Sequence, residues 1–230
     1  MSTHRSAGLI VNFVLGWAGV IATLALACFY VPEREANLGN NYLIFFYHFP
    51  SAFDCLLFFM IAGGMAIYQL RSGSLHADLR VASSIEVGVL ATAICLLTGM
   101  IWANAAWGKP WIWHDPRLLS VAVMWFSYVA YLVFRANLDN IEQRARYSSV
   151  MAVLFAINVP IVYFAIQLFG RVSHPNPLKM ELTPEMKLTQ WVGALSFFIL
   201  YVALWRLRYR SLAAAARADQ LEERFIAERI

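Results

Sequence analysis

Residues 42–70, YLIFFYHFPSAFDCLLFFMIAGGMAIYQL, carry a single carboxylate, Asp54, and neither lysine nor arginine. At about 1.5 Å of rise per residue, a helix of this length more than crosses a hydrocarbon layer of roughly 30 Å. The stretch therefore reads as a membrane-spanning helix. Working outward, five further apolar runs of spanning length lie at approximately 9–31, 81–102, 118–136, 148–169 and 188–207. The run at 9–31 has no small-residue cleavage site at its end and exceeds a signal-peptide core, so it is retained as a span.

Composition points the same way. Of 230 residues, 60% are hydrophobic and 14% charged, and the mean hydropathy is +0.59, more apolar surface than a soluble domain of this size could bury. The expected fold is all-α, a polytopic six-helix transmembrane bundle. Short connections favour antiparallel neighbours. Thr183-Pro184-Glu185 combines an N-cap, a first-turn proline and a first-turn carboxylate, and so opens the sixth helix. The chain divides into a membrane domain at 1–208 and a cytoplasmic or interfacial helical tail at 209–230, where Leu212, Ala216, Leu221, Phe225 and Ile230 share a loose stripe.

Positive residues are retained on the cytoplasmic side of a membrane. With both termini cytoplasmic, that side takes twelve arginines, half of them at or beyond Arg206. The other side takes Arg34, Lys109, Arg117, Arg171, Lys179 and Lys187. The net charge of +4 thus reads as topology, and nothing supports nucleic-acid binding. Cys28, Cys55 and Cys95 fall inside spans without a CxxC or CxxCH motif, which disfavours disulfide scaffolds, thiol redox chemistry and self-attached c-type haem.

This topology sends His4 and His76 to the cytoplasm and His48, His114 and His174 to the outer side. His48, in Tyr47-His48-Phe49-Pro50-Ser51, lies about 9 Å below Tyr42 at helical rise. Pro50 removes a backbone donor and should kink or unwind that turn, which lipid tolerates only where protein or a cavity satisfies the freed groups. An ionisable residue at such depth is a functional candidate, or a neutral ring bonded to a neighbouring carbonyl. His174, in Arg171-Val172-Ser173-His174-Pro175, can reach the same face from the end of the fifth span. Haem iron accepts two axial imidazoles.

Between the third and fourth runs lies Trp107-Gly108-Lys109-Pro110-Trp111-Ile112-Trp113-His114-Asp115-Pro116-Arg117. With Trp102 it places four tryptophans within twelve residues. Interfacial preference accounts for one or two indoles. Crowding them into one loop suits a large planar apolar ligand, whose acidic edge Lys109, Arg117 and Arg171 could pair. Asp115 before Pro116 is also a good N-cap for the fourth span. Asp54 and Glu86 are the carboxylates within spans, candidates for a proton path or for local hydrogen bonding.

Taken together, this tryptophan loop, the preceding Thr98-Gly99-Met100-Ile101-Trp102, the His48-Phe49-Pro50-Ser51-Ala52 turn, Asn158-Val159-Pro160-Ile161 and His174 resemble the CcmC family of cytochrome c maturation over about residues 40 to 206. The resemblance implies a haem-handling protein of the inner membrane. Haem b would bind at the periplasmic face with His48 and His174 as axial ligands, on a platform of Trp107, Gly108, Trp111, Trp113 and Asp115. It further implies delivery of haem to the chaperone CcmE within an assembly containing CcmA, CcmB and CcmD. The covalent step in the family occurs on that partner, so a carrier is implied rather than an enzyme. The chain departs from the family pattern where His114 intervenes between Trp113 and Asp115 and where Pro110 replaces a common aromatic. His114 thereby becomes a third candidate ligand or a proton donor. The related CcsA-type synthetases share the loop but have more spans.

Two other classes stand beside this reading. A b-type electron-transfer cytochrome would place histidine pairs within facing spans, whereas only His48 is intramembrane. A proton-coupled channel or transporter built on Asp54 and Glu86 is disfavoured by the lack of an internal repeat and of a polar stripe.

Overall fold

A computed structural model describes residues 2–31, 41–170, 172–174 and 181–228, with the side chains of 2–6 and 223 left aside. Among these residues there are eight helices and no strand: α1 (Ser2–Phe29), α2 (Tyr42–Ser72), α3 (Leu75–Trp107), α4 (Pro116–Ala136), α5 (Ile141–Ala156), α6 (Asn158–Tyr163), α7 (Ala165–Phe169) and α8 (Pro184–Ala227). Six segments are long and apolar enough to cross a membrane, starting at Ala7, Tyr42, Leu75, Pro116, Ile141 and Pro184. The expected six-span, all-helical architecture is what the chain adopts.

Capping chemistry sets the helix ends. Gly73 at φ 65° closes α2 by donating its N–H to the Gln69 carbonyl, and Ser74 opens α3 by accepting from the Ala77 N–H. A left-handed closing residue followed at once by an N-cap reverses the chain with almost no loop, so α2 and α3 form a tight antiparallel hairpin. Thr183 caps α8 through the Met186 N–H, with Pro184 in the first turn as the sequence suggested.

Three spans differ in detail from the apolar runs. The third keeps its helical hydrogen bonds through Trp107 and ends only where Gly108, at φ 70°, returns its N–H to the Asn104 carbonyl. The fifth is interrupted at Ile157 and again at Phe164. Pro160 sits in the first turn of α6, where its missing N–H costs no helical bond. The sixth continues unbroken from Pro184 to Ala227.

Nor does Pro50 break α2. It leaves the carbonyl of Phe46 without its usual donor, and α8 answers at that point with Gly193. A Cβ on Gly193 would stand 3.2 Å from the Phe46 oxygen and 3.1 Å from Thr23 Cγ2. A bare glycine lets the two backbones close over the freed carbonyl and binds α1, α2 and α8 together. Close approach recurs between α1 and α8, where a Cβ on Gly19 would collide with Ser196 at 2.1 Å.

The central packing is aromatic. Phe59 of α2 stacks on Tyr128 of α4 with centroids 3.7 Å apart and planes 6° apart, and Gly88 of α3 leaves room for the Phe59 ring. Around the bundle, Ile21, Leu97, Phe126 and Trp191 face outward at 62–71% exposure, an apolar belt that suits lipid and not water. Toward the α2–α3 turn, Asp78 is fully buried and accepts two hydrogen bonds of 2.6 Å from Arg135 of α4.

Removing one partner of that fork strands the other charge in a low-dielectric interior. Arg135→Met is expected to destabilise the bundle by about 3–5 kcal/mol, and adding Asp78→Asn should restore much of the loss. Unfolding midpoints in detergent compare the single and double variants.

Candidate functional site

The site is built at the end of the bundle where α3 stops and α2, α4 and α8 begin. Cys95, Thr98, Gly99 and Trp102 follow one another at i, i+3, i+4 and i+7, one stripe of α3, and His48 of α2 sits against it. His48 Nδ1 lies 3.1 Å from the Cys95 carbonyl oxygen and 3.2 Å from Thr98 Oγ1. A carbonyl can only accept, so Nδ1 carries the proton and Nε2 keeps its lone pair. A Cβ on Gly99 would stand 2.9 Å from His48 Cε1, so glycine is what lets the ring lie in this slot.

His174 comes from the far side of the sequence. Its ring centroid is 6.3 Å from that of His48, with planes 38° apart, and 6.4 Å from that of Trp102. The short segment 172–174 is held by Asp115, which is 1% exposed. One carboxylate oxygen, Oδ1, accepts the Arg117 and Leu118 N–H groups and caps α4. The other, Oδ2, accepts the Ser173 N–H at 3.0 Å, the Ser173 hydroxyl, and the His174 N–H at 3.2 Å. Burial alone would raise the Asp115 pKa. Hydrogen bonds from Ser173, Leu118 and His174 outweigh it and hold the carboxyl below its ordinary value.

Between the imidazoles and the indoles lies a cavity of about 360 Å³. His48, His174, Trp102, Trp107, Trp111 and Arg117 all line it, and its apolar walls reach Met124 and Val162. The Trp111 Nε1–H is buried with no acceptor among the described residues. Neither described ion pair involves Arg117, which leaves it a cation on the cavity wall.

Of the residues singled out from sequence, the fold thus gathers His48, His174, Trp107, Trp111 and Arg117 around one space. It does not bring Trp113 or His114 to that wall. Trp113 is 78% exposed, though it packs edge-on against Trp111 at 6.0 Å, and His114 is exposed. Gly108 terminates α3, and Asp115 braces the two loops from behind. Arg171 lies outside the described residues. Sequence reasoning grouped Trp102 with the loop tryptophans, and the structure places it on the cavity wall; it did not single out Gly99, Thr98 and the Cys95 carbonyl as supports of His48, or Ser173 as the clasp. The helical spacing of 95, 98, 99 and 102 was a legible signal. Ser173 had none, because its partner is 58 positions away.

Because the Asp115 carboxylate is stabilised in its charged form, its contribution is complete above the unfolded carboxylate pKa and is lost as pH falls through the lower folded value. Hydrogen-exchange protection of the Ser173 and His174 amides should therefore hold from neutral pH down to about pH 4. In Asp115→Ala, exchange at those amides is expected to quicken about tenfold or more above about pH 4, reflecting loss of charged hydrogen bonds, and to approach the wild-type rate in stronger acid, as read by hydrogen–deuterium exchange.

The CcmC family model, described as heme exporter protein C, matches residues 2–228. Heme exporter protein C of Escherichia coli is 24% identical over 210 residues, covering 88% of this chain and 85% of its own length. Its counterpart in Bradyrhizobium diazoefficiens is 28% identical over 222 residues, covering 91% and 82%. That of Paracoccus denitrificans is 23% identical over 214 residues, covering 90% and 88%. With six spans, a tryptophan-walled cavity and a match along nearly its whole length, the chain belongs to the heme exporter protein C (CcmC) family.

Proposed function

We propose that this protein binds haem b in the indole-walled cavity and delivers it, at the periplasmic face of the inner membrane, to a CcmE-like haem chaperone during cytochrome c maturation. His48 and His174 are the axial ligands. The carrying observation is their ring separation of 6.3 Å beside an aromatic cavity. Two metal–nitrogen bonds of about 2 Å each, plus the step from nitrogen to ring centre at both ends, require a separation of roughly this size. Haem is cargo here, and its iron supplies the two axial positions that the imidazoles fill.

The rest of the wall suits the cargo. Trp102, Trp107 and Trp111 offer flat apolar surface, while Arg117 and the Trp111 Nε1–H are donors for porphyrin carboxylates. Trp113 and His114 stand at the rim, where a receiving partner would meet them. CcmA, CcmB and CcmD are the expected companions in the membrane, as the family suggests.

Capture and release place opposite demands on one site, and the two histidines are mounted differently. His48 is fixed within a helix by its Nδ1 hydrogen bonds, which leave Nε2 as the ligating nitrogen. His174 lies outside the helices, in a segment that donates two N–H groups and the Ser173 hydroxyl to Asp115. One ligand within a helix and one outside it support hand-over beginning at His174.

Purified protein loaded with haemin should show a bis-imidazole absorption spectrum. An unchanged spectrum in the His48→Ala/His174→Ala double variant would overturn the ligand assignment. Gly99→Ala, which presses on the His48 ring without removing a ligand, should weaken haem affinity by about 10-fold to 100-fold, measured by haemin titration.

A further inference from the structure

A second cavity, of about 570 Å³, lies toward the opposite end of the bundle between α2, α3 and α8. Its floor is apolar: Phe58, Ile61 and Met65 of α2 face Phe198 and Val202 of α8. Its rim is cationic, formed by Arg80 of α3 and by Arg206 and Arg210 of α8. From Phe198 to Arg210 the groove runs about 18 Å along α8, changing from hydrocarbon to charge in one direction. The charged end lies level with the α2–α3 turn, because the Tyr209 hydroxyl is 3.0 Å from His76 Nδ1 in the first turn of α3. That turn marks the edge of the spanning segments.

The charge there is uncompensated. Among the described residues the ion pairs are Arg135–Asp78 and Arg208–Glu86, so Arg208 is neutralised while its three neighbours are not. Arg80 lies over the Tyr209 ring, 5.6 Å from its centroid. Among the described residues Arg206 is met by the neutral Asn12 amide, 3.2 Å away once its oxygen is turned toward the guanidinium. Tyr209 in turn stacks on Trp205 at 6.1 Å, giving the rim an aromatic wall of the kind that sits at headgroup level. Three unneutralised guanidinium groups above an apolar trough match one kind of ligand, an anion joined to hydrocarbon.

We propose that this groove is a binding site for an anionic phospholipid, its phosphate held by Arg80, Arg206 and Arg210 and an acyl chain laid along Phe58, Ile61 and Val202. Basic pockets between spans select such lipids from the surrounding leaflet by charge, and the trough excludes water from beneath the headgroup. A lipid there ties α8 to the α2–α3 hairpin at the end remote from the indoles.

The test is native mass spectrometry of the full chain after equilibration with equal amounts of phosphatidylglycerol and phosphatidylcholine in neutral detergent. Wild type should retain the anionic lipid roughly tenfold or more over the zwitterionic one. That preference should vanish in Arg80→Gln/Arg206→Gln/Arg210→Gln and persist in Arg217→Gln/Arg224→Gln, which neutralises the same helix beyond the groove. Equal retention of both lipids by wild type overturns the proposal, and that arm depends on no variant. So does an equal loss of preference in the Arg217/Arg224 variant, or haemin displacing phosphatidylglycerol from wild type at equal concentration.

Discussion

One buried carboxylate organises the site. Asp115 sits where α4 begins, and its two oxygens look in different directions: Oδ1 to the start of its own helix, Oδ2 to a loop 58 residues later in the chain. Capping a helix and gathering a loop are ordinary uses of an aspartate. Performing both at once makes the direction of α4, and hence of Arg117, depend on the same group that positions His174. The charge sits at a helix N-terminus among five donors, so its burial is compensated.

The partner imidazole is positioned by an unrelated device. His48 is held by a stripe of α3 in which a carbonyl, a hydroxyl and a bare glycine stand one helical turn apart, fixing the tautomer and making room for the ring together. Both α2 and α3 are packed along their lengths, joined by the Gly73–Ser74 reversal, so this support is rigid. His174 lies outside the helices, and its N–H is placed by Asp115. Unequal mounting of paired groups is the arrangement a carrier needs, since one fixed contact retains the cargo while the other is exchanged.

Membrane packing rules explain how such a site survives in a bundle with so few polar side chains. Where Pro50 frees a carbonyl, Gly193 closes on it. Where Asp78 is buried, Arg135 meets it with two parallel bonds. Cations that neither described ion pair includes line the cavities, Arg117 at one end and the arginine rim at the other. Both ends therefore face amphipathic anions, a porphyrin in the proposed reading and a lipid in the further one.

The sequence by itself determined the six spans, the helical class, the start of α8 at Thr183-Pro184 and the gathering of tryptophans where the third span ends. Each follows from local rules: run length against bilayer thickness, capping pairs, and side-chain partition between lipid and water. It also made His48 stand out, because an imidazole at membrane depth needs a partner. Only the tertiary structure decided which aromatics form a wall and which stay outside, since Trp102 belongs to α3 and lines the cavity while Trp113, eleven residues on, is 78% exposed. It alone brought His174 beside His48 and made Ser173 the clasp. Those contacts join positions more than 50 residues apart, and no period, cap or run length in a chain encodes which distant segment a buried carboxylate will select.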